Sequence, residues 1–185
     1  ATLATACQRD RESETRASSP SGKVKLWDVA SGEERVLIQA EGSRAPSRVA
    51  YSPDGRMLAV AEHDGSVSLW ESRTERLAFR LPGQGTAVQS LALSNDGRSL
   101  ATGGDDGTAR LWDLASRRVE RVLRGHSGPI NAIDLSPDGS LMVSAGADKI
   151  ATIWNLAEGR PWAVLRGHQA AVRSSAFSPD GLVVI

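Results

Sequence analysis

A tryptophan recurs along this 185-residue chain at Trp27, Trp70, Trp112 and Trp154, at intervals of 43, 42 and 42 residues. A second marker keeps the same spacing: Ser52-Pro53-Asp54-Gly55, Ser94-Asn95-Asp96-Gly97, Ser136-Pro137-Asp138-Gly139 and Ser178-Pro179-Asp180-Gly181 each begin 42 residues after the last. Two unrelated residue patterns on one period restrict the fold to an array of like units, each a supersecondary element packed on its neighbours. Residues 1–185 are read as a single domain of such units.

The clearest unit runs from 97 to 123. Gly97 closes a turn, Leu100-Ala101-Thr102 is strand-like, Gly103 to Gly107 turns, and Thr108-Ala109-Arg110-Leu111-Trp112 runs back. Ser-Pro-Asp-Gly is turn chemistry, since proline presets φ, aspartate bonds its own backbone and glycine tolerates positive φ. Each such turn follows an alternating segment such as Ile130-Asn131-Ala132-Ile133-Asp134-Leu135, the pattern of a half-buried strand. After each tryptophan a polar turn leads to a fourth strand, as in Arg118-Val119-Glu120-Arg121-Val122-Leu123. The prediction is four short antiparallel strands per period and an all-β chain.

Composition narrows the partners. The 22 basic and 22 acidic residues cancel, so the chain exerts no long-range pull on nucleic acid or an anionic membrane. No apolar run approaches the ~20 residues of a membrane-spanning helix. The one cysteine, Cys7, excludes an intrachain disulfide and a cysteine-rich zinc site, which fits a reducing compartment and a cytoplasmic location. His63, His126 and His168 are spread over different repeats, so no metal site is expected, and Gly103-Gly104 lacks the lysine of a P-loop and the pattern of a dinucleotide fingerprint. No cofactor is expected. Arg117, Arg118, Arg121 and Arg124 are interrupted by Glu120 and read as a solvated strand edge. Trp162, off the tryptophan spacing, is expected to pack on the outer strand.

Leu100-Ala101-Thr102-Gly103-Gly104-Asp105-Asp106-Gly107-Thr108-Ala109-Arg110-Leu111-Trp112-Asp113, followed by Gly125-His126, resembles a WD40 repeat of a β-propeller. The resemblance covers nearly the whole chain. Trp27-Asp28 keeps the Trp-Asp pair, whereas Trp70-Glu71 and Trp154-Asn155 depart from it. It implies about four blades of four antiparallel strands: strands two to four of a first blade over 1–40 with an insert at 7–20, then blades at 41–82, 83–124 and 125–166, with a further blade beginning over 167–185. It also implies a structural tetrad in which a histidine, a serine or threonine, an aspartate and the tryptophan hydrogen-bond to one another. That set maps onto His126, Ser144, Asp148 and Trp154. The preceding blade keeps Thr102, Asp106 and Trp112 but has Gln84 in the histidine position; the one before keeps Asp64 and Trp70, with Val60 in the hydroxyl position and Glu41 near the histidine position.

Ser144, His126 and Asp148 could also be read as a hydrolase triad. No Gly-x-Ser-x-Gly elbow or comparable context surrounds Ser144, and the tetrad gives each buried polar group a partner without any chemistry. No catalytic residue and no enzymatic activity are therefore expected. The insert arises because Leu3 to Trp27 spans 24 residues where Leu58 to Trp70 spans 12. It is polar and reads as a surface loop that either carries binding or is merely tolerated.

Residue 1 falls in the register of Arg56 and Ile185 in that of Ala59, so one blade is split between the termini. Self-closure as four blades, closure of an eight-bladed ring by two copies, and membership of a longer chain all fit this register; the homodimer is the expectation adopted. The resemblance implies a non-catalytic scaffold that binds protein or peptide partners on the face carrying the Gly-His turns, with Arg44, His63, Thr86, Asp105, Ser127 and Gln169 as candidate contacts. The alternative is the sensor or regulatory part of a larger kinase, protease or NTPase.

Overall fold

The computed structural model describes residues 2–8, 21–41 and 44–185. Fifteen strands are formed there and no helix. They are β1 (Thr2–Gln8), β2 (Ser21–Asp28), β3 (Glu34–Glu41), β4 (Pro46–Tyr51), β5 (Met57–Glu62), β6 (Val67–Glu71), β7 (Arg76–Leu81), β8 (Val88–Leu93), β9 (Ser99–Gly104), β10 (Thr108–Asp113), β11 (Arg118–Arg124), β12 (Ile130–Leu135), β13 (Leu141–Gly146), β14 (Ala151–Asn155) and β15 (Arg160–Leu165). They form one antiparallel meander per period: β1-β2-β3, β4-β5-β6-β7, β8-β9-β10-β11 and β12-β13-β14-β15. The first strands of successive sheets, β4, β8 and β12, lie beside one another, and β1 lies beside β4.

Burial within each sheet follows from stacking. The second strands β5, β9 and β13 are buried on both faces: β5 and β9 lie between neighbouring sheets, and β13 lies between the third sheet and the segment that follows β15, where Val172 N–H bonds Gly146 O. The fourth strands β7, β11 and β15 are largely exposed. Apolar clusters fill the gaps between sheets: Val24, Leu26, Leu58 and Val60 between the first and second; Leu69, Leu81, Leu93 and Leu114 between the second and third; Leu111, Leu123, Leu135 and Leu156 between the third and fourth. Each blade thus buries its apolar faces only against its neighbours, as expected of a repeat protein.

Two recurring bulges escaped the sequence pattern. One interrupts the pairing of the third and fourth strands beside the tryptophan, at Leu69/Trp70, Leu111/Trp112 and Ile153/Trp154. The other leaves Ser47, Gln89 and Asn131 as extra residues on the first strands. An extra residue re-aims the side chains around it. Asn131 is aimed into a bond beyond its own sheet, Nδ2 to the Val172 carbonyl, whereas Gln89 accepts from Arg48 of the second sheet and donates Nε2 to Asp105 of its own.

Cys7 and Gln8 belong to β1, paired with Lys23 and Gly22, so this hairpin is longer than the alternation indicated and its connection is 9–20. That connection lies outside the described residues. Beyond β15, Val172 N–H donates to Gly146 O and Phe177 N–H to the Asp134 carboxylate. A hairpin is begun there, with Ala176 and Ile185 exchanging both backbone bonds and Phe177 bridged to Val184. No described strand of this chain lies beyond β1 in the first sheet. Trp162 departs from expectation: it is 67 % exposed, because it points outward from the fourth strand at the position where Ala78 and Glu120 of the earlier sheets are exposed too. No helix among the described residues is long and apolar enough to cross a membrane.

Candidate functional site

The residues His126, Ser144, Asp148 and Trp154 come together at one end of the fourth sheet. The Trp154 indole N–H donates to Ser144 Oγ at 2.8 Å, His126 Nε2 lies 2.8 Å from the same oxygen, and His126 Nδ1 lies 3.0 Å from both carboxylate oxygens of Asp148. Asp148 has only acceptors, so Nδ1 carries the proton. Nε2 then accepts from the Ser144 hydroxyl, whose oxygen takes the indole proton. Asp148 also accepts from Ser127 N–H and Ile150 N–H. Burial pushes the Asp148 carboxyl upward, but the bonds from His126 and Ser127 outweigh it and hold the group below the ordinary carboxylate range.

Two glycines make room for this set. A Cβ on Gly146 would stand 2.6 Å from His126 Nδ1 and 2.7 Å from Asp148 Oδ1, and one on Gly125 would stand 2.9 Å from the Trp154 ring. The side chains of Ser144 and His126 are completely buried. A nucleophile must be reached by a substrate, and the Ser144 oxygen is enclosed and committed to Trp154 and His126. The arrangement joins the turn after β13, the loop before β12 and the tryptophan strand; it offers no acyl-transfer geometry.

The other blades solve the same tryptophan N–H differently. In the third sheet Trp112 donates to Thr102 Oγ1 at 3.2 Å, and Thr102 donates to Gln84 Oε1 at 2.9 Å. Gln84 therefore occupies the histidine position. It does not reach Asp106, which turns to Arg110 at 2.8 Å and to Thr108 N–H. In the second sheet Val60 provides no hydroxyl, and Trp70 bonds Ser68 Oγ on its own strand at 3.0 Å. Asp64 accepts from Ser66 N–H at 2.9 Å, and the one Ser66 hydroxyl proton is shared between Asp64 and the buried Glu62 carboxylate, which faces Arg80 at 3.5 Å. In the first, Trp27 donates to Thr5 at 3.2 Å. Ser68 was missed because the repeat register looks one strand away, whereas a side chain two residues along a strand shares its face. The side chain of Glu41 lies outside the described residues.

The candidate contact residues lie on one end of the sheets, on the loops joining fourth to first strands and second to third strands. Arg44, Asp105, Ser127 and Gln169 are exposed; His63 and Thr86 are half-buried. Backbone bonds tie these loops in pairs: His63 N–H to Ala45 O, Asp105 N–H to Ala87 O, Ala147 N–H to Pro129 O. Sequence reasoning missed an inner line of polar groups on this face. Arg48 donates to Gln89 O at 3.0 Å and Gln89 Oε1 at 2.9 Å, and Gln89 in turn holds Asp105 at 2.8 Å. The signal was the bulge, which no alternation pattern marks. Among the described residues there is no metal-ligating cluster. The arginine group is engaged rather than simply solvated: Arg117 lies over the Phe79 ring at 4.7 Å, Arg121 donates to Ala157 O, and Arg124 to Thr108 Oγ1.

A family model described as "WD domain, G-beta repeat" matches residues 37–71, 75–113, 117–155 and 159–185. Among curated proteins the chain is similar to "Protein LST8 homolog" of Drosophila melanogaster, 39 % identical over 66 residues, which is 35 % of this chain and 20 % of that protein. It is also similar to "Coronin-7" of Mus musculus, 38 % identical over 61 residues, 33 % of this chain and 6 % of that one. "Cell division cycle 20.1, cofactor of APC complex" of Arabidopsis thaliana is 33 % identical over 61 residues, 32 % of this chain and 13 % of that protein. The matched regions therefore span a fifth or less of these relatives. In fold the chain resembles one in the "Crystal Structure of Mitotic Checkpoint Complex", with a TM-score of 0.80, 24 % identity, and coverage of 87 % of this chain and 49 % of the other.

Proposed function

The chain belongs to the WD40-repeat family, and from that premise we propose that it is a non-catalytic scaffold binding a protein or peptide on the loop face above its tetrad. One observation carries this reading. The polar groups of the tetrad are buried, paired with one another and bonded to the Ser127 N–H, and on the same end of the sheets Arg44, Asp105, Ser127 and Gln169 are exposed, the first three on or beside loops tied by backbone bonds. Side chains held on a rigid scaffold recognise a partner with little loss of conformational freedom on binding. That one relative is named a cofactor of a complex and a fold neighbour lies within a checkpoint complex is in keeping with such a role. Arg44→Glu, Asp105→Arg and Gln169→Ala together should abolish affinity capture of a partner while leaving the melting curve in place. Capture unchanged by the triple substitution excludes this face. In the second reading the same blades serve a larger kinase, protease or NTPase as its regulatory part, and the capture test then reports a domain of the same polypeptide.

We further propose that more strands complete the ring, supplied by a second copy of the chain. Leu165 of β15 is 38 % exposed, whereas Leu81 and Leu123 in the same register are 0 % and 2 % exposed under the next blade. The last sheet thus leaves Leu165 open at the position that each earlier interface buries, and exposed apolar groups of this kind mark contact sites.

A further inference from the structure

Repeats allow a comparison that single-copy folds do not: each gap between blades can be laid on the next. Between the second and third sheets, on the end carrying the Ser-Pro-Asp-Gly turns, Leu69, Leu93 and Leu114 form a floor that Phe79 and Met57 cover. Forty-two residues on, the floor persists as Leu111, Leu135 and Leu156, but Arg121 replaces Phe79 and Ser99 replaces Met57. Glu120 likewise stands where the earlier blade has Ala78. The result is an open cavity of about 320 Å³ between the third and fourth sheets, rimmed by Asp96, Glu120, Arg121, Asp138 and Ser140.

The rim is chemically unfinished. Arg121 bridges the gap by donating Nη2 to Ala157 O at 2.8 Å, yet its Nε–H is buried without a partner. A buried donor lacking an acceptor costs stability that a ligand can restore. Three carboxylates face one guanidinium, so the rim carries an excess of negative charge. Asp96 and Asp138 are held ionised by their own turns: the Ser94 and Ser136 hydroxyls, with the Arg98 and Ser140 backbone N–H groups, hold both carboxyls low, Asp138 to about 2. The side-chain donors to these two carboxylates are the neutral hydroxyls of Ser94, Ser136 and Ser140, and among the described residues neither forms an ion pair.

We propose that this cavity is an anchor site for a basic peptide segment of a partner protein. The aliphatic stem of a lysine or arginine lies on Leu111, Leu135 and Leu156, its charged head meets Asp96, Glu120 and Asp138, and a peptide carbonyl accepts from Arg121 Nε. Long basic side chains combine apolar stem and cationic head in this way. The site lies at the opposite end of the sheets from the loop face, so the two bind independently.

The probe is the capped peptide Ac-Ala-Arg-Leu-Ala-NH2, titrated into the 15N-labelled chain and compared with its counterpart carrying glutamate for arginine. The arginine peptide should shift the amides of Ser99, Glu120, Arg121 and Ser140. Its affinity should fall at least about fivefold in Glu120→Arg, the weight of one partly exposed ion pair. Arg121→Phe, which refills the gap as Phe79 does, should abolish the shifts without lowering the melting temperature. Shifts elsewhere, equal response to the glutamate peptide, or affinity untouched by Glu120→Arg and Arg121→Phe overturn the assignment. Glu120 is exposed on β11, so its variant tests binding without endangering the fold.

Discussion

At the scale of single residues, the tetrad is a set of buried polar groups whose stability depends on each partner being present. His126→Ala leaves the Asp148 carboxylate and Ser144 hydroxyl underpaired, and a lost buried bond of this kind costs about 1–3 kcal/mol. A lowered melting temperature is expected; an unchanged one removes the network's role. Gly146→Ala should have a similar effect without deleting any polar group, since its methyl would meet His126 Nδ1. Because the Asp148 carboxyl titrates lower folded than unfolded, its contribution is complete above the unfolded carboxylate value and is lost as pH falls through the folded one. Urea midpoints measured at descending acidic pH should therefore drop less steeply for Asp148→Asn than for the parent chain. His126, Ser144, Asp148 and Trp154 were legible because the register of the repeat assigns them. Gln84 fills the histidine position that the register gives it and Thr5 the hydroxyl position, whereas Ser68 was not read as a partner, since it reaches Trp70 along its own strand, which the register does not encode.

Among the elements, the Ser-x-Asp-Gly turn does more than reverse the chain. Ser136 Oγ accepts from Leu141 N–H at 2.9 Å and donates to Asp138 at 2.6 Å, while Asp138 accepts from Ser140 N–H and Gly139 takes φ of 71°. The same bonds recur at Ser52, Ser94 and Ser178. Turn chemistry read from sequence credited proline, aspartate and glycine; the buried serine is the hub, and it shows only when its neighbours across the hairpin are in place. Ser136→Ala should destabilise by about 1 kcal/mol. It should also let the Asp138 carboxyl rise from about 2 toward its ordinary value, a change that carboxyl NMR titration reads directly. No rise would mean that Ser140 alone sets it. Strand existence and order were legible from alternation and turns; the bulges were not, because one extra residue leaves a period-two pattern almost intact.

For the molecule as a whole, the four sheets follow one another in chain order, Leu165 stands open on the last, and among the described residues β1 is paired on one side only. Closure by a second copy predicts a light-scattering mass twice the 19.6 kDa of one chain, reduced to a single chain by Leu165→Arg. A monomer at every concentration would assign the covering blade to another polypeptide segment. The sequence by itself determined the all-β repeat, its period and the position of each tryptophan and turn, because these are local: a strand's face and a turn's φ follow from residues a few positions apart. Only the tertiary structure decided that Trp70 turns to Ser68 and Arg48 to Gln89, and that Arg121 and Ser99 hollow a gap that Phe79 and Met57 fill. Those outcomes depend on side chains that meet across neighbouring sheets, where separation in sequence no longer measures separation in space.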